Sequence, residues 1–180
     1  KLLFMGGEFG QRAEWHHDAA LQWDLTHRDE HAGIQRWVRD LNRLYRALPA
    51  LHRGDVLAGG YQWIDGSDRE NSVLSFLRWS DRAEDAVVAV VCNFTPVPRH
   101  GYRIGVPRAG RWREVLDSDA AIYGGAGVGN LGGVDTLDEP RHGQPCSLSL
   151  TVPPLGCVFF VWEPGPAPDG VGKAVTEGPR

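Results

Sequence analysis

The sequence predicts a mainly β fold, a carboxy-terminal antiparallel β-sandwich preceded by one βα unit. Three observations carry this. An apolar stripe of helical period runs from Ile34 to Leu48, behind a short apolar run near the amino-terminal end. Beyond Pro49 the pattern changes to short runs rich in Val, Phe, Tyr and Trp, parted by Gly, Pro, Asp or Asn. In the clearest of these Cys146, Leu148, Leu150 and Val152 fall on one side and Ser147, Ser149 and Thr151 on the other, the period of a half-buried antiparallel strand.

Taken in order, residues 2–5 are apolar without alternation and are closed by Gly6 and Gly7, which predicts a strand covered on both faces, as in a parallel sheet. Residues 8–28 carry Phe9, Trp15, His16, His17 and Trp23 without periodicity and read as a long loop, a kind of segment that tends to be functional. Residues 30–48 place Ile34, Trp37, Val38, Leu41, Leu44, Tyr45 and Leu48 on one helical face and Arg36, Arg39, Asp40, Arg43 and Arg46 on the other. Asp29 suits the N-cap and Pro49 the stop. Strands are expected at 61–65, 72–79, 86–94, 102–106, 111–116, 146–152 and 157–162, enough for a sandwich of about 110 residues. The division expected is 1–50 for the βα unit and 55–163 for the all-β domain, which should fold alone. Residues 164–180 are rich in Pro and Gly with almost nothing to bury, the composition of a disordered tail.

Composition narrows the function. With 180 residues the chain is too short for a complete (β/α)₈ barrel, which needs about 250. A net charge of -4 with no basic run argues against a nucleic-acid partner, and no apolar run reaches the roughly 20 residues needed to cross a bilayer. Cys92, Cys146 and Cys157 are three cysteines without CxxC spacing, which supports neither a disulfide framework nor a zinc site and favours a reduced, cytoplasmic setting. The chain starts at Lys1 and enters directly into an apolar run, so a preceding segment is expected.

Several strings have the look of chemistry. Gly127, Gly129 and Gly132 match GxGxxG, but between β-strands and without the strand-to-helix turn that a dinucleotide needs, so they read as a loop. Glu14, His16, His17 and Asp18 are ligand types, yet adjacent histidines do not face one ion in regular structure and no second cluster completes a shell, so no metal and no cofactor is expected. His17 and Asp18 have no nucleophile beside them. Glu8 follows the apolar run at what would be the carboxyl end of a strand, where sites on barrels and open sheets lie, and either serves such a site or pairs with an Arg. Trp15, Trp23, Tyr61, Trp63 and Trp79 could stack on sugar faces; core packing is the stronger reading for Trp63 and Trp79.

The run Leu3-Phe4-Met5-Gly6-Gly7-Glu8-Phe9-Gly10-Gln11, with Glu14-Trp15 and Leu21-Gln22-Trp23, resembles the last barrel strand and following loop of the bacterial 1,4-α-glucan (glycogen) branching enzymes of the α-amylase superfamily. Gln35-Arg36-Trp37-Val38-Arg39-Asp40-Leu41-Asn42-Arg43-Leu44-Tyr45-Arg46 resembles their last barrel helix. Asn93-Phe94-Thr95-Pro96-Val97-Pro98-Arg99, Tyr102-Arg103-Ile104-Gly105-Val106-Pro107 and the stretch from Tyr123-Gly124-Gly125 to Gly129-Asn130 resemble their carboxy-terminal β-domain. The likeness runs from Lys1 to about Glu163, with a departure at Leu116-Asp117-Ser118-Asp119, where the family usually reads Leu-Asn-Thr-Asp; both substitutions keep polar, turn-capable side chains.

The resemblance implies the last βα unit of a (β/α)₈ barrel followed by the β-sandwich, and a two-step retaining transfer of an α-1,4-glucan chain onto O6 of another, as in glycogen synthesis. The family's catalytic Asp, Glu and Asp lie on barrel strands upstream of Lys1, so no catalytic residue is expected here, and the chain alone should be inactive. Glu8, Trp15 and Trp23 are the candidates for the substrate cleft. The partner expected is α-1,4-glucan, with no nucleic acid and no membrane. The alternatives are a non-catalytic carbohydrate-binding or packing module and a fragment of an α-amylase-type hydrolase.

Overall fold

The computed structural model describes residues 2–163; the tail expected over 164–180 lies outside the described residues. One α-helix, α1 (Asp29–Ala47), is followed by eight strands: β1 (Tyr61–Asp68), β2 (Val73–Arg78), β3 (Val88–Asn93), β4 (Arg99–Val106), β5 (Arg111–Asp117), β6 (Gly133–Asp135), β7 (Cys146–Val152) and β8 (Cys157–Glu163). Short 3₁₀ turns lie at Gly7–Phe9, Trp23–His27, Pro49–Leu51 and Ala121–Tyr123.

Every strand pair is antiparallel. Six strands form one sheet in the order β1-β2-β3-β8-β5-β6, and β4 and β7 form a second. The two sheets close on a core of Val73, Leu77, Ala89, Val91, Ile104, Trp112, Leu148, Leu150, Val152, Val158 and Phe160. The molecule is therefore mainly β, as the alternation predicts.

The alternation on β3 shows a second buried face. Ala89 and Val91 point between the sheets, while Val88 and Val90 point outward to a separate cluster with Ala50, Leu51 and Val161. Leu44, Tyr45 and Leu48 from the end of α1 pack on that cluster. The helix thus covers the outer face of the large sheet, and β3 reads as a run of Val and Ala because both its faces are covered.

Four local expectations need correction. Residues 2–5 form no strand: they have no β-partner among the described residues, Leu2 is 96% exposed, and Gly6 at φ 88° turns the chain into the Gly7–Phe9 turn. A strand is a pairing, and an apolar run without a neighbour to pair with stays irregular. Asp29 is not the N-cap. Arg28 holds that position with extended backbone, and Asp29 and Glu30 occupy the first turn, where their charge favours the helix dipole. Trp63 is not core but 52% exposed on an edge strand of which Ile64 is the buried residue. Finally, β6 was absent from the expected strands; it is three residues long and pairs only with β5.

Candidate functional site

The loop that carries the three cleft candidates is tied to the start of α1. His31 is buried, and its Nδ1 donates to the Phe9 carbonyl at 2.8 Å. Phe9 is fully buried, and Gly10 lies so close to Ile34 that a Cβ on it would sit 2.7 Å from the isoleucine side chain. Arg12 pairs with Glu30 at 3.1 Å across this junction. Two glutamines hold the rest of the loop shut: the Gln22 N–H donates to Gln11 Oε1 and the Ala13 N–H to Gln22 Oε1, both at 2.9 Å.

Upon this frame Glu8 is half-buried and accepts the Gly6 N–H at 2.9 Å, closing its own turn; among the described residues it pairs with no Arg. Trp15 is 42% exposed, edge-on to Phe4 at 5.6 Å, and Trp23 is 54% exposed, tilted against Phe9 at 5.2 Å. Trp15 also meets the His17 ring at 6.2 Å, and both indoles stay partly exposed, an arrangement that can take the apolar side of a flat ligand. Glu8 lies in the same loop, and its hydrogen bond is to the Gly6 N–H and to neither tryptophan.

His16, His17 and Asp18 do converge. Their ligand atoms lie within 4.8 Å of one another, the two imidazoles stack at 5.3 Å, and His17 Nε2 is 3.0 Å from Asp18 Oδ2. The argument that neighbouring histidines point apart assumes regular backbone, and this backbone is a turn. All three side chains are exposed, and His16 Nδ1 is taken up by the Asp18 N–H at 3.2 Å, so among the described residues no buried partner orients these groups as metal ligands are oriented.

The glycine-rich loop has a different task from cradling phosphate. Asp119 accepts the N–H groups of Ala126 (3.1 Å) and Val128 (2.9 Å), and Glu114 accepts that of Asn130 at 2.9 Å. Asn130 in turn bridges Glu114 and both main-chain groups of Thr151. Amides that would have to face an anionic ligand are already bound to carboxylates, so the loop is a structural clamp across β5 and β7. Burial, and then the neighbouring Glu114 and Asp119 carboxylates, push Asp117 in this clamp up to about 6.

The structure adds two features to what the sequence offers. Tyr61, Trp63 and Phe76 form an aromatic cluster on the outer face of β1 and β2, with Tyr61 stacked on Phe76 at 5.0 Å and edge-on to Trp63 at 5.1 Å. The two-residue spacing of Tyr61 and Trp63 shows that they share a face; only the fold shows that the face is open. An open groove of about 510 Å³ is lined by Asp65, Asp68, Arg99, Tyr102, Arg103 and His142. Its polar groups are spent in part: the Tyr102 hydroxyl donates to Asp68 Oδ2 at 2.7 Å, and Arg103 donates to Ser147 Oγ at 2.6 Å and to Glu139, while Arg99 Nε and Arg103 Nε are buried without a partner among the described residues. Burial pushes the Tyr102 hydroxyl up, and the Asp68 bond adds to it. No helix among the described residues is long and apolar enough to cross a membrane.

Comparison with known proteins agrees with this architecture. Residues 63–163 match the family described as the alpha amylase C-terminal all-beta domain. Over 163 residues, 91% of this chain, it is 60% identical to the 1,4-alpha-glucan branching enzyme GlgB of Aromatoleum aromaticum, of which it covers 25%. The enzymes of the same name from Cupriavidus necator and Aquifex aeolicus are 55% and 52% identical over 92% and 91% of the chain, which covers 22% and 26% of them. The chain thus spans about a quarter of the length of these curated relatives. With the family's match running from within β1 to the end of β8, and those strands closed into antiparallel sheets, the chain belongs to the alpha-amylase C-terminal all-beta domain family.

Proposed function

We propose that this chain is the carboxy-terminal part of a 1,4-α-glucan branching enzyme, which cleaves an α-1,4-glucan and transfers the freed chain to O6 of another. The observation that carries the reading is the extent of the similarity: 60% identity over 91% of the chain reaches beyond the β-domain match into α1 and the loop before it. In this reading residues 1–50 are the last βα unit of the catalytic barrel, residues 55–163 are the β-domain, and the parent enzyme works in the cytoplasm. Glu8, Trp15 and Trp23 line or brace the glucan cleft.

Retaining transfer uses a nucleophilic carboxylate and an acid about 5 Å apart. Both come, in this reading, from barrel strands outside the chain. What these residues contribute is position. The loop carrying Glu8 is fixed to α1 by His31 and Arg12, and α1 is fixed to the large sheet by Leu44, Tyr45 and Leu48. The β-domain so acts as a buttress that sets where the loop faces substrate, and a displacement of 1 Å at such a site can cost about a hundredfold in rate.

The test is a chimera in which residues 1–163 replace the matching quarter of the Aromatoleum aromaticum enzyme. It is expected to lower the iodine colour of amylose and to create α-1,6 linkages, whereas the chain alone leaves amylose unchanged. A folded chimera without branching activity rejects the proposal, as does enzyme-dependent loss of colour with the chain alone. In the active chimera Glu8→Gln should slow turnover about ten- to a hundredfold through loss of a charged hydrogen-bonding group. Unchanged turnover would remove Glu8 from the cleft.

A further inference from the structure

Cys92 and Cys157 stand directly opposite each other where β3 pairs with β8, although they are far apart in sequence. The next pair along, Asn93 and Gly156, is joined by a hydrogen bond from the Asn93 N–H to the Gly156 carbonyl at 2.8 Å. Alternation in an antiparallel ladder then makes Cys92 and Cys157 a pair without main-chain hydrogen bonds, the closer kind, with Cα atoms about 4.5 Å apart. Disulfides span Cα separations from about 4.4 Å upward. Both thiols lie on the outer face of the sheet and are free.

They are also reachable. Cys92 and Cys157 line an open groove of about 370 Å³ with Trp37, Phe94, Ser118 and Leu155, and Phe94 and Leu155 at its mouth are 61% and 70% exposed. Cys146, by contrast, is buried between the sheets, its thiol donating to the Val106 carbonyl at 3.2 Å. The Cys157 main chain is held in register by Ser118, whose Oγ accepts its N–H at 2.8 Å.

We infer that Cys92 and Cys157 are a site of reversible oxidation, forming a cross-strand disulfide between β3 and β8 when the protein meets a peroxide. Interaction of the two thiols with each other lowers Cys92 and raises Cys157, so Cys92 supplies the attacking thiolate. Its sulfur attacks one peroxide oxygen and breaks the O–O bond, leaving a sulfenic acid and hydroxide. Cys157, having given its proton to that hydroxide, then attacks the Cys92 sulfur, forms the S–S bond and releases a second hydroxide, which is protonated to water. The two thiols lose two electrons and two protons, and hydrogen peroxide becomes two waters. The pair sits at the short end of the separation range that disulfides tolerate, so the bond is expected to be readily reduced.

The experiment uses the full chain, exposed to hydrogen peroxide, denatured, alkylated with N-ethylmaleimide and weighed intact. The expected product is a monomer lighter by two hydrogens that takes one label, at Cys146, and yields a peptide joining Cys92 to Cys157. Dithiothreitol should restore all three labels. Three labels after peroxide, a bond that includes Cys146, or linkage between chains would each overturn the assignment. So would a Cys92→Ser variant that still loses two hydrogens within one chain. The outcome is independent of branching activity.

Discussion

Asp117 shows what one buried carboxyl can do to the stability of this domain. Its pKa, 3.8 in the absence of perturbation, is pushed up to about 6 in the folded chain, chiefly by burial and then by Glu114 and Asp119. Below about 4 both folded and unfolded chains hold the proton and the group is neutral in its effect. As pH rises the unfolded chain ionises first, so stability falls through the window from about 4 to 6, and the full cost is present above it. Asp117→Asn removes that cost while keeping an oxygen for the Asp119 N–H, which donates to Asp117 Oδ1 at 2.9 Å. The variant should be more stable at pH 7 by about 1–2 kcal/mol, the cost of that rise discounted for partial exposure, and no more stable near pH 3.5. Urea melts at the two pH values measure this, and an equal gain at both would mean that ionisation is not the cause. The position was legible in the sequence as a departure from the resembling family, but its energetic sign needed the fold, because neither Glu114 nor the burial can be read from a string. Cys92 and Cys157 teach the same lesson, since only the register of β3 on β8 makes them neighbours.

Among the elements, α1 was the most legible part of the chain because its apolar stripe, from Ile34 to Leu48, repeats over about four turns, and the structure places it at Asp29–Ala47. What the stripe could not show is that, besides the loop tied to its first turns by His31 and Arg12, the helix meets two further partners. Its last turns pack on the large sheet, and its middle meets the Ala121–Tyr123 turn, where Arg36 donates to the Ile122 carbonyl at 2.6 Å and the Tyr123 hydroxyl donates to Asp40 at 3.0 Å. Gly33 permits that approach. A Cβ there would lie 2.2 Å from the Tyr123 carbonyl oxygen, which is main chain and cannot swing aside. Gly33→Ala therefore sets two effects of opposite sign against each other. In an isolated helix the change gains up to about 1 kcal/mol; here the forced separation should cost about 1–3 kcal/mol and so decide the outcome. A lowered melting temperature is the expected result, and a raised one would show that the turn yields freely. β6 and residues 2–5 mark the opposite limit. Strands are defined by partners, so a three-residue strand beside a glycine loop escapes notice and an apolar run without a neighbour does not become one.

For the molecule as a whole, the question is whether the all-β domain stands alone. Sequence pattern drew the line near residue 55, where helical period gives way to alternation, and the closed core between the two sheets supports a self-sufficient sandwich. The outer face of the large sheet argues the other way. Val88, Val90 and Val161 are almost fully buried, and much of their cover comes from Ala50, Leu51 and the half-buried Leu44, Tyr45 and Leu48, all on the far side of that line, beside Phe76, Val115 and Phe159 from the domain itself. Fully burying one large apolar side chain is worth about 1.5–3 kcal/mol, so losing these contacts should remove about 4–6 kcal/mol. Domains of this kind hold a total of about 5–15 kcal/mol. A chain cut to residues 55–163 should then keep its strands and lose most of its margin. It is expected to melt well below residues 2–163, and to bind a dye that reports exposed apolar surface, while a chain begun at residue 40 retains the helix end and most of the stability. If the shorter chain melted as cooperatively and at the same temperature as the longer one, α1 would be a passenger on the sheet and not part of its core. The buttress role proposed for the β-domain would then lose its physical basis, because contacts that do not stabilise the sheet cannot fix the helix, or the loop of Glu8 tied to it.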